Sequence, residues 1–146
     1  MHILYFHQHF CTPKGSAGIR SYGMSKKLIQ RGHTVTVVCG SFVGANTGLN
    51  SKFKNGMRAG IVNKINVIEF DLSYGNSDGF FKRTITMFRY LYRASLIVLK
   101  KDYDLIFATS TPLTASIPGL FGKWFRKKPF VFEVRDLWPE LPKAMG

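Results

Sequence analysis

Acidic residues are scarce. Eight Asp and Glu face 21 Lys and Arg across 146 residues, giving a formal net charge of +13, and no acid occurs before Glu69. A surface this unbalanced attracts polyanions, meaning nucleic acid, anionic lipid or phosphorylated ligands, unless the charge serves solubility alone. Cysteine is scarce too. Cys11 and Cys39 are the only two, which excludes a disulfide scaffold, and with scattered histidines they argue against a metal site, so free thiols are expected. The opening MHILYFHQHF lacks the basic end and small-residue cleavage site of a signal peptide, and a cytoplasmic location is expected. Long hydrophobic runs are missing as well. Residues 105–122 are uncharged and just reach spanning length, but Pro112, Pro118 and several Ser and Thr make them read as strand, turn and helix.

What is present suits one globular domain. Hydrophobic residues make up 45% and charged residues 20%, and a domain of this length buries about two-thirds of the surface its unfolded chain exposes. Short apolar runs at 2–7, 34–39, 65–70, 104–109 and 129–134 read as strands, and their near-continuous apolarity suits parallel strands covered on both faces. Helical patterns lie between them at 19–31, 80–101 and 112–127. The third has Thr111 as N-cap and Pro112 at the first helical position. Residues 40–64, rich in Gly, Asn and Ser, read as a long loop with a hairpin near 57–62. The alternation predicts an α/β fold, a doubly wound parallel sheet with helices on both faces. In such sheets ligands bind at the carboxyl ends of the strands, which selects residues 8–18, 40–56, 71–79, 109–112 and 135–142.

The first of these segments holds Lys14, Gly15, Ser16, Ala17 and Gly18, just before a helix. Small residues there allow close backbone approach, and a helix N-terminus with Arg20 beside it favours an anion; an ordinary tight turn is the competing reading. The Gly-x-x-Gly pattern falls short of the Gly-x-Gly-x-x-Gly dinucleotide fingerprint. The second strand also ends in Cys39, Gly40 and Ser41 where a ribose-binding acid would stand, which argues against an NAD-type dehydrogenase. Gly122, Lys123 and Trp124 do not make a Walker A loop.

The densest polar cluster follows the fifth strand. Glu133, Asp136 and Glu140 are three of the eight acids, beside Arg135 and Trp138. A carboxylate there can hold a substrate hydroxyl and an aromatic ring can stack on a sugar face, whereas a structural Arg–Asp pair would only close a loop. VFEVRDLWPELPKAMG, with FATSTPLTASIPGLF and ILYFHQHF…GSAGIRSYGMSKKLIQRGHTVTVV, resembles the N-terminal half of bacterial family 4 glycosyltransferases. These are retaining enzymes of the GT-B fold, and the likeness is strongest to the surface-polysaccharide branch that transfers amino sugars such as N-acetylfucosamine.

The resemblance covers the whole chain and implies a Rossmann-like domain, one half of a GT-B fold, that carries the acceptor. The nucleotide sugar would sit mostly on a second domain with a Glu-x7-Glu motif, which these residues do not include, so the chain is expected to be inactive alone. No metal and no cofactor is implied, the nucleotide sugar being a substrate. Gly15, Ser16 and Gly18 match the loop that lies against donor diphosphate and acceptor. Thr109, Ser110 and Thr111 fall where many relatives carry a histidine near the transferred sugar. Asp136 matches a polar position facing the cleft, where it would hold the acceptor hydroxyl. His9 at the end of the first strand, Arg20, Arg135, Trp138 and Glu140 are further substrate-binding candidates. The leaving phosphate itself can take the acceptor proton in retaining transfer.

Residues 80–101 carry six Lys or Arg and no acid. Lys82, Arg89, Arg93 and Lys100, spaced 7, 4 and 7 apart, form one helical stripe flanked by apolar residues, with Phe81, Phe88, Tyr90 and Tyr92 among the aromatics. Lys123, Trp124 and Arg126 belong to a second such cluster. Basic, aromatic-rich helices suit an anionic bilayer surface, and the resemblance implies a polyprenyl-linked or saccharide acceptor at the inner face of the cell membrane. The alternative from another class is a basic α/β module that binds nucleic acid or anionic membrane without catalysis.

Overall fold

The computed structural model describes residues 1–74, 79–110 and 113–135. Its strands are β1 (His2–Phe6), β2 (Thr34–Phe42), β3 (Met57–Val62), β4 (Ile65–Tyr74), β5 (Leu105–Thr109) and β6 (Phe130–Glu133). Its helices are α1 (Arg20–Gln30), α2 (Phe80–Lys100) and α3 (Ile117–Phe125), the last preceded by a 3₁₀ turn, Leu113–Ser116. The strands form one sheet in the order β3-β4-β2-β1-β5-β6. All neighbours are parallel except β3, which runs antiparallel to β4. The expected parallel sheet therefore gains an antiparallel margin.

Helices cover both faces. On one, Tyr22, Met24, Leu28 and Ile29 of α1 pack on Tyr5, Val35, Val37 and Val67. On the other, Tyr90, Leu91, Ala94 and Val98 of α2, with Ile117 and Phe121 of α3, close over Leu4, Phe6, Val38, Ile68 and Ile106. Buried runs such as TVTVVC are β-branched on both faces, which is what a strand between two helical layers requires. The fold is an α/β, Rossmann-like doubly wound sheet.

Two sequence expectations change here. Tyr90 belongs to the core, fully buried, with its hydroxyl donating to the Val38 carbonyl at 3.0 Å. The third helix begins at Ile117, later than expected, because Pro118 has no N–H for the ladder and its ring crowds the carbonyl four residues back. Pro118 stands in the first turn instead, and the residues before it take the tighter 3₁₀ form. Thr111 and Pro112 lie outside the described residues.

The margin strand β3 is bracketed by two tight turns. Asn55 and Gly56 have φ of 51° and 70°, Asn63 and Lys64 have 50° and 70°. Lys54 and Met57 exchange backbone hydrogen bonds of 2.9 and 3.1 Å across the first. Two left-handed residues in succession define the type I′ hairpin turn, whose twist matches that of the strands it joins. Loop 43–56 is clamped beneath by a buried ion pair. Glu69 is 1% exposed, accepts from Arg58 Nε at 2.8 Å and Nη2 at 3.0 Å, and accepts from the Thr47 hydroxyl.

Candidate functional site

The strand order reverses between β1 and β5, so the connections leaving their carboxyl ends diverge and open a crevice, the usual ligand position in such sheets. Topology brings to this one rim the segment after β1 with the start of α1, residues 109–110 after β5, and residues 133–135 at the end of β6.

Glu133 organises the rim. Its Oε2 accepts from Thr109 Oγ1 at 2.8 Å, and its Oε1 accepts from Arg20 Nε at 2.9 Å and from the Arg20 terminal nitrogen. Burial acts to raise the carboxyl pKa, but the Thr109 and Arg20 hydrogen bonds and the Arg20 and Arg135 charges outweigh it, leaving Glu133 below the ordinary glutamate range. Glu133 is thus an anion at neutral pH. The Glu133 carbonyl accepts from Ser110 N at 2.8 Å, and the Ser110 hydroxyl accepts from Arg135 N at 2.7 Å. Thr109 and Ser110 are each 1% exposed. Their hydroxyls are already engaged, and what they do is hold Glu133 and Arg135 in place.

Beneath the rim, His7 is buried and its Nδ1 lies 2.7 Å from the Ser21 hydroxyl. Burial first, then the His9 and Arg135 charges, lower its pKa to about 4, so the ring is neutral at pH 7. Tyr5 is pushed well above the usual tyrosine range by burial and by Glu133. The Gln8 side-chain oxygen, also buried, has no hydrogen-bond partner among the described residues. His9 is half-buried, its ring 5.4 Å edge-on from Phe42.

The glycines of the loop before α1 divide into two kinds. A Cβ on Gly15 would meet the Cys11 sulfur at 1.9 Å and Asn46 N at 3.0 Å, so Gly15 lets the loop pack against the segment after β2. Thr12 ties the same segment through Asn46 O at 2.8 Å, and Ser16 through Gly44 O at 3.0 Å. Gly18 is different: nothing lies within 4 Å of its missing Cβ, and it is not left-handed. It faces open space just before α1, which has no side-chain cap.

Gly15, Ser16, Gly18, Arg20, His9, Thr109, Ser110 and Arg135 therefore share one rim, and Thr111, Asp136, Trp138 and Glu140 lie outside the described residues. Sequence reading missed the roles of Gln8 and Ser21 and gave Glu133 no partner, since Glu133 and Arg20 meet across 113 residues. Among the described residues no group of three His, Cys, Asp or Glu could hold a metal, and no helix is long and apolar enough to cross a membrane.

Of the residues expected at a membrane surface, Lys82, Arg89, Lys100, Lys123 and Trp124 are exposed. Arg93 is half-buried, donates to the Gly56 carbonyl and lies 5.9 Å from the Phe70 ring centre. Arg126 donates to Leu99 O at 2.7 Å and pairs with Asp102 at 3.3 Å. Facing away from the core, α2 carries Phe81 (82% exposed), Ile85, Phe88 and Tyr92 at spacings of 4, 3 and 4, a continuous exposed apolar stripe beside the basic one.

No protein-family model and no curated protein sequence matches the chain. Among solved structures it is similar to the C-terminal domain, residues 78–226, of the PF1911 hydrogenase from Pyrococcus furiosus, with TM-score 0.60, 16% identity and 90% of each chain covered. It is also similar to an Escherichia coli protein described as trehalose-6-phosphate bound with UDP-2-fluoro glucose, with TM-score 0.52 and 12% identity; 90% of this chain covers 32% of that one. At these identities the likeness is one of fold alone: this chain is a Rossmann-like α/β domain.

Proposed function

We propose that this chain is the acceptor-binding half of a retaining glycosyltransferase that builds cell-surface polysaccharide in bacteria, taking a sugar from a nucleotide donor to a lipid-linked or saccharide acceptor. The observation that carries the reading is the convergence at the sheet's reversal point of an open glycine at Gly18, the ionised Glu133 with Arg20, and Arg135 leading into the Asp136, Trp138 and Glu140 segment. The fold likeness to a protein bound with UDP-2-fluoro glucose supports it. In this reading Asp136 orients the acceptor hydroxyl, Trp138 stacks on a sugar ring, and Glu133 keeps Arg20 and Arg135 oriented toward anionic groups. A companion domain with the Glu-x7-Glu motif supplies the donor site. The acceptor's proton passes to the departing phosphate, so no base is needed on this half.

Sugar transfer by this chain joined to its donor domain tests the proposal. Asp136→Ala should lower kcat by about 10²-fold, the cost of a misplaced reacting hydroxyl, with the melting temperature nearly unchanged. Unchanged turnover would remove Asp136 from the site, and turnover by the present chain alone would refute the division of labour.

The same reading puts the protein on the inner face of the cell membrane, peripherally, through the exposed stripe of α2 and Trp124. Cosedimentation with anionic vesicles, and loss of it with neutral ones at low salt, is expected. The non-catalytic alternative rests on the +13 charge, and a gel shift with steep salt dependence would favour it.

A further inference from the structure

Away from the rim, an open groove of about 890 Å³ runs between margin strand β3 and helix α2, within the range of about 300–1,000 Å³ usual for ligand sites. It exists because α2 lies over β4 and stops short of β3. Met57 and Ala59, which alternate onto the α2 side of the sheet, are left exposed. Its walls are Met57, Ala59, Phe70, Leu96 and Ile97, and its charged lining is Lys52, Lys54, Arg58, Arg93 and Lys100, without a single carboxylate.

Only one of these five cations has a carboxylate partner among the described residues. Arg58 is paired with Glu69, but Arg93 donates only to a neutral carbonyl, and among the described residues no carboxylate partners Lys52, Lys54 or Lys100. Lys54 flanks the turn at Asn55 and Gly56 that Arg93 grips, so the cations gather at the hairpin end. Lys100 lies two helical turns farther on, roughly 10 Å along the axis. An apolar trough with a cationic head suits an amphiphile with an anionic head, because its tail leaves water while its charge gains donors. The trough is also continuous with the exposed apolar face, since Tyr92 and Leu96 line both it and the α2–α3 hollow.

We propose that this groove holds the acyl chain of one acidic phospholipid, with the phosphate at Lys52, Lys54 and Arg93 and the chain along Met57, Ala59, Leu96 and Ile97. The inference does not depend on sugar transfer, and its test does not measure it. The chain is titrated, below micelle formation, with lauroyl-lysophosphatidylglycerol, with the zwitterionic lauroyl-lysophosphatidylcholine and with inorganic phosphate, following amide and methyl NMR shifts. Saturable binding of the first, with shifts at Lys54, Ala59, Leu96 and Ile97, is expected, together with at least ~tenfold weaker binding of the other two.

The double variant Lys52→Gln, Lys54→Gln should weaken binding ~tenfold. Ala59→Phe, at an exposed margin position, should abolish it by filling the trough, and the spectra of both variants should otherwise keep their dispersion. Equal binding of the two lysolipids, shifts confined to Phe81, Phe88 and Trp124, indifference to both variants, or tighter capture of an oligonucleotide by the same lysines would each overturn the proposal.

Discussion

Glu133 joins two strands and a helix through side chains that are far apart in the chain: Thr109 on β5, Arg20 on α1 and its own place on β6. Arg20 is 61% exposed, so the ion pair itself is worth at most about 1 kcal/mol. Glu133→Gln should accordingly cost little stability; under the proposed function it should lower acceptor-dependent turnover more than it alters donor binding, as a kcat-against-KM comparison of this chain joined to the proposed donor domain would read. His7 gives a pH signature. Its folded pKa of about 4 lies below the unfolded value of about 6.5, so the unfolded chain binds the extra proton first. Stability should therefore fall by about 3 kcal/mol as pH drops from about 6.5 to about 4, and level off below that. Urea titrations across this window should show His7→Gln flattening the slope. At this scale the sequence is only partly legible. Gly15 stands out as small, but the Cys11 sulfur that requires it is visible only in the fold, and no spacing announces a partner 113 residues away.

Among the elements, α3 owes its position to two glycines. A Cβ on Gly119 would sit 2.1 Å from the Phe130 ring and one on Gly122 2.0 Å from Ile106 Cδ1, so the helix lies unusually close to β5 and β6. Gly122→Ala improves helix propensity by about 1 kcal/mol yet should destabilise the protein by about 1–3 kcal/mol through overpacking, as thermal unfolding will measure. The five parallel strands were readable to within a few residues, because buried parallel strands are apolar throughout and have nothing else to become, whereas the half-exposed β3 was legible only as a hairpin within a long loop. The hairpin near 57–62 was legible, but the left-handed turns at Asn55–Gly56 and Asn63–Lys64 that bracket β3 appear only in the fold. The start of α3 was not legible, since the pattern of apolar residues runs through Pro118 while the backbone ladder does not. In α2 the basic stripe was legible, but Arg93 looks like its neighbours until the hairpin that it grips is in place.

For the molecule as a whole, the buried pair of Glu69 and Arg58 locks loop 43–56 to the sheet. Glu69→Ala should cost about 3–5 kcal/mol, since it takes the only carboxylate from a largely buried guanidinium whose other contacts, Ser51 O and the Phe53 ring, are neutral, while replacing both residues with apolar ones should cost far less. Fold class was written in the alternation of strand and helix, and the cleft's location follows from that class; which side chains meet there does not. The order of the sheet carries one more consequence, for synthesis. Strand β1 pairs with β2 from residue 34 onward, but its other edge waits for β5, residues 105–109. At ribosomal speeds that interval is on the order of seconds. Until it closes, the central strand β1 shows one open flank to solvent, and a nascent chain stalled before residue 105 should bind a hydrophobic dye and a holdase chaperone that the finished chain ignores.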